Sequence, residues 1–408
     1  MYQKLLQLSK FQSPSRQDWI IYFLAFIVVQ VPAILNFYQN DGSHNAYTLF
    51  AQSLLNGSME LPPMESYGDM IAYEGKHYLP YPPLPSVILL PFVALLGAGN
   101  VNTVAIATLM ACGSLYLFYR IFTKLQVQQQ YIPWLLLGFF FGTGYWYAMF
   151  TSHHVYAFAH VTSCLFQLLI INELLGKRRW WLVGLFIGCT FLTRQFTVFY
   201  LLLAAGLLFF PKQGERKPFR LKDALSLAAS LGVFGAIYLL YNYIRFGNAL
   251  DTGYDHILFI GVLKERVDQY GVFSARYLLF NLYSLLIKGF HIEFGGADYL
   301  QIKGMDLWGT SLLAGSPFLI ASLKARCSKT LKIFSWVTIL VILTGLLFYH
   351  NNGFHQINTY RFALDFLPLL VVLAATGAGQ LPQWLFKGLV AYSILLNLVG
   401  FAIHSVYQ

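Results

Sequence analysis

The sequence predicts an all-α polytopic membrane protein of about eleven transmembrane helices, with two long extracytoplasmic loops that contain interfacial helices. Three observations carry that prediction. Hydrophobic residues make up 57% of the chain and charged residues 11%, with a mean hydropathy of +0.57, whereas about a quarter of a soluble domain is charged. Apolar stretches of spanning length recur through all 408 residues. Runs such as "LLVVLAATGAG" do not alternate, so the spanning elements are helices rather than barrel strands.

The first span is drawn from Trp19 to Phe37. Lys4, Lys10 and Arg16 precede it and no small-residue cleavage site closes it, so it reads as a retained anchor and not a signal peptide. Further spans fall near 101–120, 131–150, 155–175, 180–193, 195–211, 224–244, 308–323, 333–349, 361–376 and 385–403. With the N-terminus cytoplasmic, basic clusters such as Arg120 with Lys124, Lys177 to Arg179, and Lys212 to Lys222 collect inside, while most acids lie outside. The net charge of +10 is therefore a signature of topology, and no nucleic-acid partner is expected. Residues 180–211 read as two short helices turning at Arg194, because one long helix would place "PKQGERKPFRLK" outside. Cys112, Cys164, Cys189 and Cys327 fall in spans or a cytoplasmic loop and suggest no disulfide framework.

Two outer segments are too long to be simple connectors. In 38–100, "YPPLPSVILLPFVALLG" opens with prolines that suit a helix start, and its short apolar part predicts a helix lying in the outer interface. In 246–307, "SARYLLFNLYSLLIKGF" is a similar piece. The chain divides accordingly into a transmembrane module over 1–245, expected to be catalytic, and a C-terminal transmembrane module over 246–408.

Ionisable residues near membrane depth are costly and point to function. Here they gather at the outer face. Asp41, His44 and Tyr47 open the first loop, and Lys76, Tyr78 and Tyr81 lie towards its end. His153 and His154 sit between spans, and Arg194, Arg245, and Arg361 with Asp365 mark outer helix ends. A carboxylate at the water–lipid boundary, such as Asp41, suits general-base work on a hydroxyl, because partial desolvation raises its pKa. Adjacent His153 and His154 point different ways from a short turn, which disfavours a shared metal and leaves hydrogen bonding to substrate or interfacial packing. Arg361 and Asp365, four apart on an expected helix, read either as a self-neutralising pair or as a held guanidinium that still faces a lipid phosphate. Tyr145, Trp146 and Tyr147 would suit sugar stacking, although an interfacial aromatic belt accounts for them as well. No P-loop, G-x-G-x-x-G or G-x-S-x-G motif is present, and no acidic pair sits at mid-membrane.

The order "NFYQNDGSHNAY", "YLPYPPLP", "YNYIRFGNALDTGYD" and "NNGFHQINTYRFALDFLP" resembles the GT-C superfamily of integral-membrane glycosyltransferases, in particular bacterial mannosyl- and arabinosyltransferase types that use polyprenyl-phosphate sugars. The resemblance covers essentially the whole chain and rests on the order of short motifs. It implies transfer of a sugar from a lipid-linked donor to an extracytoplasmic glycan, lipid or protein acceptor by an inverting single displacement. Asp41 matches the family's acidic position after the first span and would be the base. Many members carry a basic residue before the Pro-Pro of the interfacial helix; this chain has Tyr81 there, with Lys76 upstream. The developing phosphate charge would then fall to Arg361, Arg194, Arg245 or Lys76, with His44, Tyr47, Tyr78, Tyr81, His153, His154 and Asp365 as substrate-binding candidates. Members using monophosphate donors generally need no divalent metal, so no metal or other cofactor is expected, the polyprenyl-phosphate sugar being a co-substrate. A bacterial inner membrane, with the active site outside, fits the modest loops. The competing reading is a lipid or sugar carrier, although no internal repeat of the kind that builds transporters is visible.

Overall fold

The computed structural model describes residues 45–62, 70–210, 220–353 and 356–407, with the backbone alone described at 356–359. The first span expected at 19–37 lies outside the described residues, as do Asp41 and His44. Among the described residues, five helices are long and apolar enough to cross a membrane.

Helix α1 (Ala46–Leu55) starts where the Asn45 side chain accepts the Tyr47 amide, a standard N-cap. Strands β1 (Ile71–Tyr73) and β2 (Lys76–Tyr78) pair antiparallel across Glu74 and Gly75, both at positive φ. Helix α2 (Leu84–Leu96) begins in the proline cluster, where the missing amide costs nothing, and it forms over the segment expected to be an interfacial helix. The long α3 (Thr103–Lys124), capped by Asn102, packs on α6 (Val155–Leu174).

Between them the span expected at 131–150 is broken into α4 (Ile132–Phe141) and α5 (Tyr145–Phe150). The interruption falls at Gly142, Thr143 and Gly144, where Thr143 Oγ1 turns back onto the Phe139 carbonyl at 2.6 Å. Residues 180–211 do divide near Arg194. Helix α7 (Trp180–Phe191) ends, Arg194 adopts an extended conformation, and a 3₁₀ turn over Gln195–Phe199 leads into α8 (Tyr200–Phe209). Helix α9 (Leu221–Phe246) packs on α7, with Phe234 seated against the bare Gly188 backbone.

The segment expected to be the second outer loop holds α10 (Gly261–Tyr270), α11 (Leu278–Leu286) and the hairpin β3 (Ile292–Gly295) with β4 (Gln301–Met305). The span expected at 308–323 is not a continuous α-helix. It consists of β5 (Trp308–Thr310), the single turn α12 (Leu312–Gly315) and a 3₁₀ helix over Pro317–Lys324. Ser311 caps α12, Pro317 blocks its continuation, and Ser316 Oγ donates to the Gly142 carbonyl at 2.6 Å, satisfying the break in the earlier span. Helix α13 (Lys329–Leu347) follows, then β6 (Gln356–Thr359), which runs parallel to β5. The expected span at 361–376 starts as a 3₁₀ turn over Arg361–Asp365 before α14 (Leu367–Gly377), and α15 (Gln383–Tyr407) completes the fold.

Buried aromatics fill the centre, with Phe118 at 4.5 Å and Tyr145 at 4.4 Å from the Phe139 ring. The breaks after α7, after α13 and before α14 leave backbone and polar side chains open at one end of this bundle, where they line a cavity.

Candidate functional site

The cavity, of about 510 Å³, gathers its walls from five regions of the chain. Pro80 to Pro82 come from the entry to α2, Tyr156 and Ala159 from the first turns of α6, Thr193 to Phe196 from the break after α7, and Tyr349 to Asn351 with Arg361, Phe362 and Asp365 from either side of β6. Tyr254, Phe259 and Phe273, from the segment between α9 and α11, complete it. The Leu192 carbonyl, freed where α7 ends, accepts the Leu84 amide at 3.0 Å and holds the proline cluster against the break.

Charge in the lining belongs to Arg194, Arg361 and Asp365. Asp365 binds Arg194, not its neighbour Arg361: Arg194 Nε donates to Oδ1 at 2.9 Å and Nη2 to Oδ2 at 2.7 Å. The reason is local geometry. In a 3₁₀ turn of three residues per turn, a residue four positions on points about 120° away instead of stacking one turn above. The self-neutralising Arg361–Asp365 pair is thus replaced by a link across 171 positions. The Arg361 guanidinium lies 4.0 Å from the Tyr156 ring centre, and its Nε donates to the Gly353 carbonyl at 3.3 Å. The lining therefore holds two guanidiniums and one carboxylate, which leaves a net positive site suited to an anion.

Other candidates are placed differently. Tyr81 lines the cavity, and buried Tyr47 packs behind it at 6.2 Å. His154 stacks on Tyr156 at 5.2 Å, and the His153 carbonyl accepts from Asn45 Nδ2 at 2.9 Å, so the histidine pair braces the wall that carries Tyr156. Burial lowers the His153 pKa. Arg245 stays out of the cavity: its donors go to the Leu79 carbonyl and Asn242 Oδ1, both at 2.9 Å, and its guanidinium lies 3.7 Å from the Tyr241 ring centre. Lys76 pairs with Glu60 at 2.5 Å on the surface, and Tyr78 packs against Phe246. Tyr145, Trp146 and Tyr147 are buried away from the cavity lining. Asp41 and His44 precede Asn45 by a few residues and lie outside the described residues. Among the described residues, no cluster of three or more His, Cys, Asp or Glu is gathered in a metal-binding arrangement.

Several lining residues escape a sequence reading. Phe259, Phe273 and Tyr349 sit in segments with no motif, although the polar run "HNNG" shortly after α13 marks a helix end. His350 lies there, buried, and burial lowers its pKa to about 4. His160, hidden within α6, places Nδ1 3.4 Å from Asp365 Oδ1.

No protein-family profile and no curated protein sequence matches the chain. Its architecture, however, is similar to the crystal structure of ArnT from Cupriavidus metallidurans bound to undecaprenyl phosphate, with a TM-score of 0.53 over 95% of this chain. The chain shares the overall fold of that structure. Identity over that match is 12%, and the chain spans 64% of the length of the ArnT structure.

Proposed function

We propose that this GT-C-like protein is a membrane glycosyltransferase that moves a sugar from a polyprenyl-phosphate donor to an extracytoplasmic acceptor. The observation that carries this reading is the cavity itself, where Arg194 and Arg361 converge among aromatic and apolar walls. The cavity occupies the outer end of the bundle in the charge-based topology. Along α6, Tyr156 in its wall lies roughly 25 Å from Glu173, at about 1.5 Å per residue. Glu173 pairs there with Arg179 of the basic cytoplasmic cluster. The cavity and that cluster are thus separated by nearly a membrane thickness.

As the bond between the sugar anomeric carbon and the phosphate oxygen breaks, the electron pair leaves with the phosphate. Arg361 and Arg194 offset the growing charge without rearrangement. The acceptor hydroxyl attacks the anomeric carbon from the opposite face and inverts it, giving up its proton to Asp41. Neutralisation by two guanidiniums makes a divalent metal unnecessary in this scheme. The membrane is a bacterial inner membrane with the N-terminus inside, and modules 1–245 and 246–408 both contribute cavity walls.

Incubation of the detergent-purified protein with a panel of polyprenyl-phosphate sugars, following release of polyprenyl phosphate, tests this reading. Wild type is expected to release it from one sugar donor, and Asp41→Asn to lose roughly 10²-fold or more of that rate. No release from any donor, even with membrane extract supplying acceptors, combined with saturable lipid binding unaffected at Asp41, would favour a carrier instead.

A further inference from the structure

We propose that Asp365 is a positioning residue for the donor phosphate: backed by His160, it fixes the Arg194 guanidinium so that its remaining edge serves the cavity. This inference rests on the glycosyltransferase reading above.

The two bonds to Asp365 use Nε and Nη2 of Arg194, and Nη1 takes part in neither. A bidentate fork of this kind fixes the plane of the guanidinium as well as its position. The Asp365 side chain is 1% exposed and Arg194 17%, so within the lining the cation is the more open of the two. His160, fully buried, approaches the same Oδ1 from α6 and limits rotation of the carboxylate. On the cavity side, the Phe362 ring centre lies 5.2 Å from the Arg194 guanidinium and 5.4 Å from that of Arg361, spacing the two cations around one aromatic face.

One feature argues that the fold does not depend on the carboxylate alone, even though removing one member of a buried ion pair leaves the other charge unpaired at a cost in stability. The same two turns are also joined by a separate polar relay. Gln167 Nε2 donates to the Leu364 carbonyl at 3.2 Å and to Ser163 Oγ at 3.0 Å; Ser163, Thr190 and Thr197 follow at 2.8 Å each, and Thr197 Oγ1 donates to the Arg194 carbonyl at 2.5 Å. The backbones of Leu364 and Arg194 are therefore tied through α6 and α7 without the carboxylate. Loss of Asp365 leaves the turns in place and frees the guanidinium to swing.

The test is equilibrium binding of the full-length purified protein to undecaprenyl phosphate and, separately, to undecaprenol, which has the same chain without the phosphate. Asp365→Asn removes the charge; Asp365→Glu keeps the pair but shifts it by one methylene. Both variants are expected to lose about tenfold of the preference for phosphate over alcohol, with undecaprenol affinity unchanged. A structural role alone would weaken both lipids together and leave the ratio intact, which would overturn the proposal. Should Asp365→Asn fail to fold, the ratio for Asp365→Glu decides. A wild type with no preference for phosphate would instead overturn the functional reading itself.

Discussion

Arg361 and Arg245 are both buried arginines at helix ends, yet their surroundings assign them opposite work. Arg361 stands in the cavity wall, whereas Arg245 spends its donors on the Leu79 carbonyl and Asn242. Arg361→Ala is expected to weaken polyprenyl-phosphate binding with little change in undecaprenol binding. Arg245→Ala should cost about 2–4 kcal/mol of stability by orphaning buried acceptors, leaving the ratio of the two lipids unchanged; melting curves and binding isotherms separate the cases. His350 supplies a pH signature. Its pKa of about 4 in the folded protein lies below the ordinary value near 6.5, so the unfolded state takes up the proton first as pH falls. Its contribution is complete above pH 6.5 and declines between pH 6.5 and 4, by on the order of 3 kcal/mol. The melting temperature of wild type should fall more than that of His350→Gln on going from pH 7.5 to 5, and parallel shifts would refute this. At this scale the sequence names Arg194, Arg361 and Asp365, because charged groups beside apolar runs stand out. It mispairs them, because spacing of four implies contact only on an α-helix.

The elements that matter most are the interrupted ones. The break at Arg194 is readable from charge, since the positive-inside rule applied to "PKQGERKPFRLK" calls for a turn there. The breaks at Gly142 and Ser316 are not, because apolar content alone does not distinguish a continuous span from two pieces that satisfy each other's backbone, as Ser316 does for Gly142. Close packing between elements also shapes the cavity. Gly345 of α13 faces Phe196, a cavity residue, and a Cβ added there would collide with the ring. Gly345→Val is therefore expected to displace Phe196 and reduce polyprenyl-phosphate and undecaprenol affinity together, by about tenfold or more. Unchanged binding of both lipids would show that Phe196 moves away from the cavity.

For the molecule as a whole, the polytopic helical class and the two elaborated segments between apolar runs follow from hydropathy and length. The cavity does not. It is assembled from turns at 80–82, 193–196, 349–351 and 361–365, which no periodicity connects and which only tertiary packing brings together. The reading of this cavity as a lipid-phosphate site is tested most directly by an experimental structure of the protein with a polyprenyl phosphate bound. The phosphate is expected within hydrogen-bond reach of Arg194 and Arg361, with the prenyl chain leaving along the apolar walls. A phosphate bound at Arg245 or Lys76, with the cavity unaltered, would contradict it.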